Sequence, residues 1–203
     1  MSSRRSNPAV DRWLLVAAGV VCAALIAGYL DVLVSAGSTH GRRFGSLVDH
    51  HGRVFANQPV SRGYKLVAFG YTQCPEICPT TLARVRRILD ALGPTAAPLT
   101  GLFITLDPVH DTPAALELYT SAFDPRIVGI TGEAREVRAF ASTYGVYPPD
   151  EQPAGMHEVI NHSAMLYLLG RDNELLAVYR PVERPDAIAA DISGRRQRDS
   201  GLE

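Results

Sequence analysis

Apolar and polar positions along the chain follow two regimes. From Trp13 to Leu30 there are 18 residues without a charge, closed by Asp31 and extendable through Val32, Leu33 and Val34. As a helix rising about 1.5 Å per residue, this run nearly spans a hydrocarbon layer of about 30 Å. From Phe44 onward, short apolar runs alternate with helical periodicities. Phe44 to Phe55 reads as a small hairpin turning at Asp49-His50-His51-Gly52, and Lys65 to Tyr71 as a strand. Leu82, Val85, Ile88, Leu89 and Leu92 recur at three- and four-residue steps, the buried face of a helix from about Pro79 to Leu92. Leu99 to Leu106 has strand length, and Thr112-Pro113 supplies the cap and first-turn proline of a helix to about Phe123. A short strand at Arg126 to Ile130 precedes a helix from Glu133 to Tyr144, with Gly145 as its stop. Tyr147 to Ile160 is a polar, proline-rich loop. Ala164 to Leu169 and Glu174 to Tyr179 flank the turn Gly170-Arg171-Asp172-Asn173 as a hairpin, and Pro185 to Ile192 closes as a helix.

Alternating strands and helices imply parallel pairing. A β-α-β unit followed by a β-β-α unit around one sheet is the arrangement of a thioredoxin-like fold, an α/β architecture with a central mixed sheet flanked by helices, here preceded by an N-terminal transmembrane helix. The expected organisation is residues 1–12 as a cytoplasmic N-terminus, 13–34 as a transmembrane anchor, 35–43 as a linker, 44–192 as the domain and 193–203 as a disordered tail. A cleaved signal peptide, with Val34-Ser35-Ala36 as its cleavage site, competes with the anchor, but an h-region is ordinarily only about 7 to 15 residues. Arg4, Arg5 and Arg12 before the segment, against Arg42 and Arg43 after it, bias the N-terminus toward the cytoplasm. The domain then faces the periplasm or an equivalent extracytoplasmic space, where thiols meet oxidising conditions.

Composition narrows the function classes. A hydrophobic content of 46% supports a packed core, and a net charge of -1 argues against nucleic acid as the partner. Nineteen of the 20 basic residues are arginine, and Arg84, Arg86 and Arg87 read as a solvated helix face. The chemistry concentrates in Cys74-Pro75-Glu76-Ile77-Cys78, which joins the Lys65 to Tyr71 strand to the following helix. Cys22, in the apolar N-terminal run, reads as membrane packing, so the domain has one thiol pair. Because the prolines that follow disfavour helical geometry at the residue before them, Cys78 is expected just outside the helix and Pro79 at its first position. A helix N-terminus favours thiolate over thiol, and thiolate is the species that attacks disulfides and binds soft metals. A structural disulfide, or two inert buried thiols, is the plainer alternative.

Cu(I) favours soft thiolates, and two sulfurs plus one imidazole make a three-coordinate site. Six histidines are available: His40, His50, His51, His110, His157 and His162. Spacing does not choose between His157 and His162.

Three separated motifs in consistent order resemble the SCO/SenC family of copper-binding cytochrome c oxidase assembly proteins. They are Phe69 to Leu82 around the cysteines, Leu106-Asp107-Pro108-Val109-His110-Asp111-Thr112-Pro113, and Asn161-His162-Ser163, within a match covering roughly Phe44 to Ile192. The resemblance implies a membrane-anchored thioredoxin-like domain binding copper through Cys74, Cys78 and His162, with Asp107 as a supporting residue near the site. It also implies that the partner is the copper-site subunit of cytochrome c oxidase, served by copper donation, by reduction of its cysteines, or by both; the leading reading is a copper donor rather than an enzyme, with Cys74 and Cys78 also able to form a redox disulfide. The family usually has His where Gln73 stands and Asp where Asn161 stands, and losing an acid beside His162 alters its orientation. The enzyme-class alternative is a thiol-disulfide oxidoreductase acting on the oxidase cysteines or another extracytoplasmic partner, itself served by a thiol reductant protein. A peroxidase and a zinc site rank lower, the first because Thr72 stands two residues before Cys74 rather than three.

Overall fold

The computed structural model describes residues 44–93, 99–147 and 164–201. The expected anchor at 13–34, its flanks at 1–12 and 35–43, Cys22, His40, His157, Asn161 and His162 lie outside the described residues. Among the described residues no helix is long and apolar enough to cross a membrane.

Six strands form one mixed sheet in the order β1-β4-β3-β2-β5-β6. They are β1 (Val48–Asp49), β2 (Tyr64–Gly70), β3 (Leu99–Thr105), β4 (Ile127–Thr131), β5 (Leu166–Leu169) and β6 (Leu175–Tyr179). As the alternation with helices requires, β2, β3 and β4 pair in parallel. The hairpin strands β5 and β6 are antiparallel, and β5 joins the sheet antiparallel to β2. Asn173 takes φ 64° in the β5–β6 turn, a left-handed conformation asparagine tolerates. The hairpin at 44–55 is present in reduced form: Val48 bridges Val54 across the His50–Gly52 turn, and β1 itself pairs with β4.

The helices are α1 (Ile77–Leu92), α2 (Pro113–Ser121), α3 (Ala134–Ser142) and α4 (Pro185–Ser200). β2 runs through the centre and is buried on both faces, which is why it reads as a continuous apolar run. Leu66 and Ala68 pack with Leu82, Val85, Ile88 and Leu89 of α1 and Ile188 and Ile192 of α4. Val67 and Phe69 pack with Phe44, Phe55, and Val137 and Phe140 of α3. Lys65 is the exception on this strand, fully buried with its Nζ donating to Ser61 O at 2.6 Å and Asn173 Oδ1 at 2.6 Å.

Three expectations are corrected. First, α1 begins at Ile77, so Cys78 lies inside the first turn rather than before it. The first four helical N–H groups have no intrahelical partner, so Pro79 forfeits no bond at the third position. Second, α4 does not stop at Ile192 but continues to Ser200, in place of the disorder expected from residue 193. Its extra turns are tied back: Arg195 donates from Nε to Asp191 Oδ2 at 2.8 Å and from Nη1 to Leu176 O of β6 at 3.1 Å. Third, the arginine face divides. Arg86 and Arg87 are exposed, whereas Arg84 is partly buried and donates to the carbonyls of Arg180 and Glu183 just before α4.

Candidate functional site

At the carboxyl ends of the parallel strands, β2 passes into the loop that carries both cysteines. Cys74 and Cys78 are both free thiols and both buried, at 8% and 1% exposure. Glu76 occupies the N-cap of α1 with φ -135° and ψ -53°, and its side chain caps nothing. The Cys74 sulfur takes that role, accepting from the Cys78 amide at 3.4 Å. The two residues are thus held together by one contact that also finishes the helix.

The thiols differ in acidity. Burial disfavours the Cys74 thiolate, but bonds to its sulfur from the Cys78 thiol and from the amides of Cys78, Glu76 and Ile77 outweigh this and hold its pKa below the usual thiol value. Cys78 is pushed up to about 12, chiefly by burial, then by its thiol bond to Cys74, with the negative charge of Asp111 adding to the effect. As pH rises, the first thiolate to form is therefore on Cys74. Cys78 keeps its proton until a metal displaces it or a released partner thiolate takes it.

Four neighbours surround these sulfurs. Gly70, the last residue of β2, has no room for a side chain: a Cβ there would stand 2.5 Å from Cys78 Sγ and 2.9 Å from Phe103 Cε2. Tyr71 and Tyr119 lie in the electrostatic field of both thiols, and each has its phenol pKa raised, by burial first and by the thiols second. Asp111, 1% exposed, anchors the loop by accepting from Thr72 N at 3.0 Å and Thr72 Oγ1 at 2.5 Å.

Asp107, expected as a supporting residue, bonds His110: the imidazole Nδ1 lies 2.9 and 2.8 Å from its two carboxylate oxygens, and the His110 side chain is 63% exposed. It enters the site's surroundings through the field it exerts on Tyr71. Nothing in the sequence distinguished Asp111 from Asp107, because both are acids in one short motif and only burial separates their roles. Gly70 was equally silent, since its need arises from Phe103 and Cys78, 33 and 8 residues away. Among the described residues no three of His, Cys, Asp and Glu gather as a metal-holding group. The two sulfurs suit a soft ion, and the histidine expected beside them, His162, lies outside the described residues.

A sequence model of the SCO1/SenC family matches residues 35–196. The chain belongs to this family. The human mitochondrial SCO1 homolog is 34% identical over 151 residues, covering 73% of this chain and 50% of that protein. The bovine mitochondrial SCO2 homolog is 34% identical over 153 residues, covering 72% and 56%. The chain thus spans about half the length of these curated relatives. Family members also share the architecture. Yeast Sco1 with copper bound superposes with a TM-score of 0.62 at 27% identity, over 74% of this chain and 89% of that one. Bradyrhizobium japonicum ScoI with copper bound superposes at 0.59 and 30% identity, over 72% and 94%. The mixed sheet with flanking helices is accordingly the thioredoxin-like fold of the Sco structures.

Proposed function

We propose that the protein is a membrane-anchored copper metallochaperone that binds copper through Cys74, Cys78 and His162 and delivers it to the copper-site subunit of cytochrome c oxidase. One observation carries the reading: a buried, free pair of cysteines at the start of α1, in a chain that superposes on copper-bound Sco proteins. The metal is cargo here. Two thiolates and one neutral imidazole match the preference of Cu(I) for soft donors and low coordination, and few ligands leave room for exchange onto an acceptor. Cys74, already poised to ionise, engages the ion first. Cys78 follows by releasing a proton that its burial otherwise retains, which makes binding stronger as pH rises. The apolar run at 13–34 supports anchoring, with the domain on the extracytoplasmic side and the membrane itself as a second partner.

A second reading is favoured by the same acid–base asymmetry. A thiol-disulfide oxidoreductase needs one acidic thiol to attack and one held in reserve. The Cys74 thiolate would attack a partner's disulfide and release one partner thiolate; Cys78, passing its proton to that thiolate, would then displace the second, leaving the partner reduced and the Cys74–Cys78 disulfide formed. A separate thiol reductant would return it to the dithiol. His162 discriminates the two readings, since copper retention requires it and dithiol exchange does not. In an oxidase assembly assay, His162→Ala is expected to fail as completely as Cys74→Ser. Normal oxidase copper content with His162→Ala, alongside failure of Cys74→Ser, would reject the chaperone reading and leave the reductase.

A further inference from the structure

The loop that carries the cysteines is fastened from outside by one buried carboxylate. Asp111 accepts from Thr72 N at 3.0 Å, from Thr72 Oγ1 at 2.5 Å, and from Thr105 Oγ1 of β3 at 2.6 Å. Thr105 Oγ1 in turn accepts from Asp107 N at 2.9 Å, and Leu106 N donates to Gly70 O at 2.7 Å. The segments 70–72 and 105–111 are thereby laced together immediately before Cys74, whose own amide donates to Tyr71 O at 3.2 Å. Nothing in this lacing is a cation. A carboxylate at 1% exposure, surrounded by hydroxyl and amide donors, is an expensive way to obtain fold stability alone, because its desolvation is only partly offset. Bonds to an ionised acceptor are, however, shorter and stronger than those to a neutral one, which suits a group whose task is to fix another.

We infer that Asp111 is the positioning residue of the cysteine pair: its carboxylate holds Thr72 against the end of β3 and so sets where Cys74 and Cys78 stand. The inference rests on the reading of that pair as the working site. It assigns Asp111 no contact with metal or substrate. The aspartate of the motif that touches the cysteine loop is then Asp111, while Asp107 serves the surface histidine His110.

The test uses the full chain with Asp111→Ala, Asp111→Asn and, as control, Asp124→Ala. Asp124 is also buried but bonds Arg126, beyond the far end of α2. Two readouts are taken: Cu(I) affinity by competition with a chromophoric chelator, and the Cys74–Cys78 thiol-disulfide midpoint of the metal-free protein in glutathione buffer. For Asp111→Ala, Cu(I) affinity is expected to fall about 10- to 100-fold, the usual effect of removing an outer partner of a metal site. The dithiol form loses its scaffold, so the midpoint should move toward disulfide by about tenfold in equilibrium constant, or about 30 mV. Asp111→Asn should recover most of both, because its carboxamide oxygen still accepts from Thr72 N, and Asp124→Ala should change neither. If Asp111→Ala does not fold, Thr72→Val, which deletes only the hydroxyl bond, decides by the same shifts in smaller measure. Wild-type midpoint and affinity in a folded Asp111→Ala or Thr72→Val protein, no recovery with Asn, or an equal shift with Asp124→Ala would overturn the inference. Failure of the wild-type chain to bind copper would overturn the chaperone reading instead, and the midpoint would still test Asp111.

Discussion

Cys74 and Cys78 occupy one turn of chain in unlike surroundings, and that difference comes from residues far away in sequence. Amides at the start of α1 point at Cys74, while the body of the core closes over Cys78 against Gly70 and Phe103. The pair itself was legible in the sequence, since two cysteines separated by three residues between a strand and a helix announce thiol chemistry. The asymmetry was not, because it depends on burial and on which side Asp111 approaches. Gly70 makes the point testable. Gly70→Ala forces a methyl into the space of the Cys78 sulfur and the Phe103 ring, neither of which has free room to move. Overpacking of this kind costs about 1 to 3 kcal/mol, so chemical denaturation should show a loss in that range, with weakened metal binding as Cys78 is displaced. Wild-type stability and affinity in Gly70→Ala would show that the pocket is looser than described.

At the level of elements, long periodic segments were read correctly, as was the Thr112-Pro113 start of α2, while the start of α1 and the end of α4 were not. The apolar face of α1 fixed its existence, but its start depended on a sulfur cap that no propensity rule describes. The last turns of α4 carry no apolar period, and only their bonds to Asp191 and β6 account for them. The most unusual position in any strand is Lys65, whose ammonium is buried in β2 among neutral acceptors. Burial lowers its pKa from 10.5 to about 8, partly opposed by the charges of Glu174 and Asp172. Below pH 8 folded and unfolded chains both carry the proton, and the penalty of the buried charge is present in full. Between pH 8 and 10.5 the unfolded chain binds more protons than the folded one, so this residue makes stability rise with pH. Relative to Lys65→Met, which lacks the group, the wild-type protein should gain on the order of 2 kcal/mol between pH 7 and 9.5. Parallel stability curves for the two proteins across that range would contradict the assignment.

For the molecule as a whole, the alternation of strands and helices along the chain was enough to expect the parallel pairing that β2, β3 and β4 show, whereas the place of the terminal hairpin beside β2 was not legible in it. It did not foresee that β1 would close the far edge against β4, since two residues of strand leave almost no periodic signal. The domain therefore presents its cysteine loop at the carboxyl ends of the parallel strands, the side on which α/β sheets ordinarily meet their ligands. The proposed role rests on copper being held by Cys74, Cys78 and His162. The measurement that tests it most directly is the copper content of the purified protein, loaded anaerobically with Cu(I) and desalted, for wild type, Cys74→Ser, Cys78→Ser, His162→Ala and His157→Ala. One tightly held copper per chain is expected in wild type and His157→Ala, and loss of it in the other three. Stoichiometric copper in both cysteine variants would contradict the site, and loss in His157→Ala with retention in His162→Ala would show that the other histidine is the ligand.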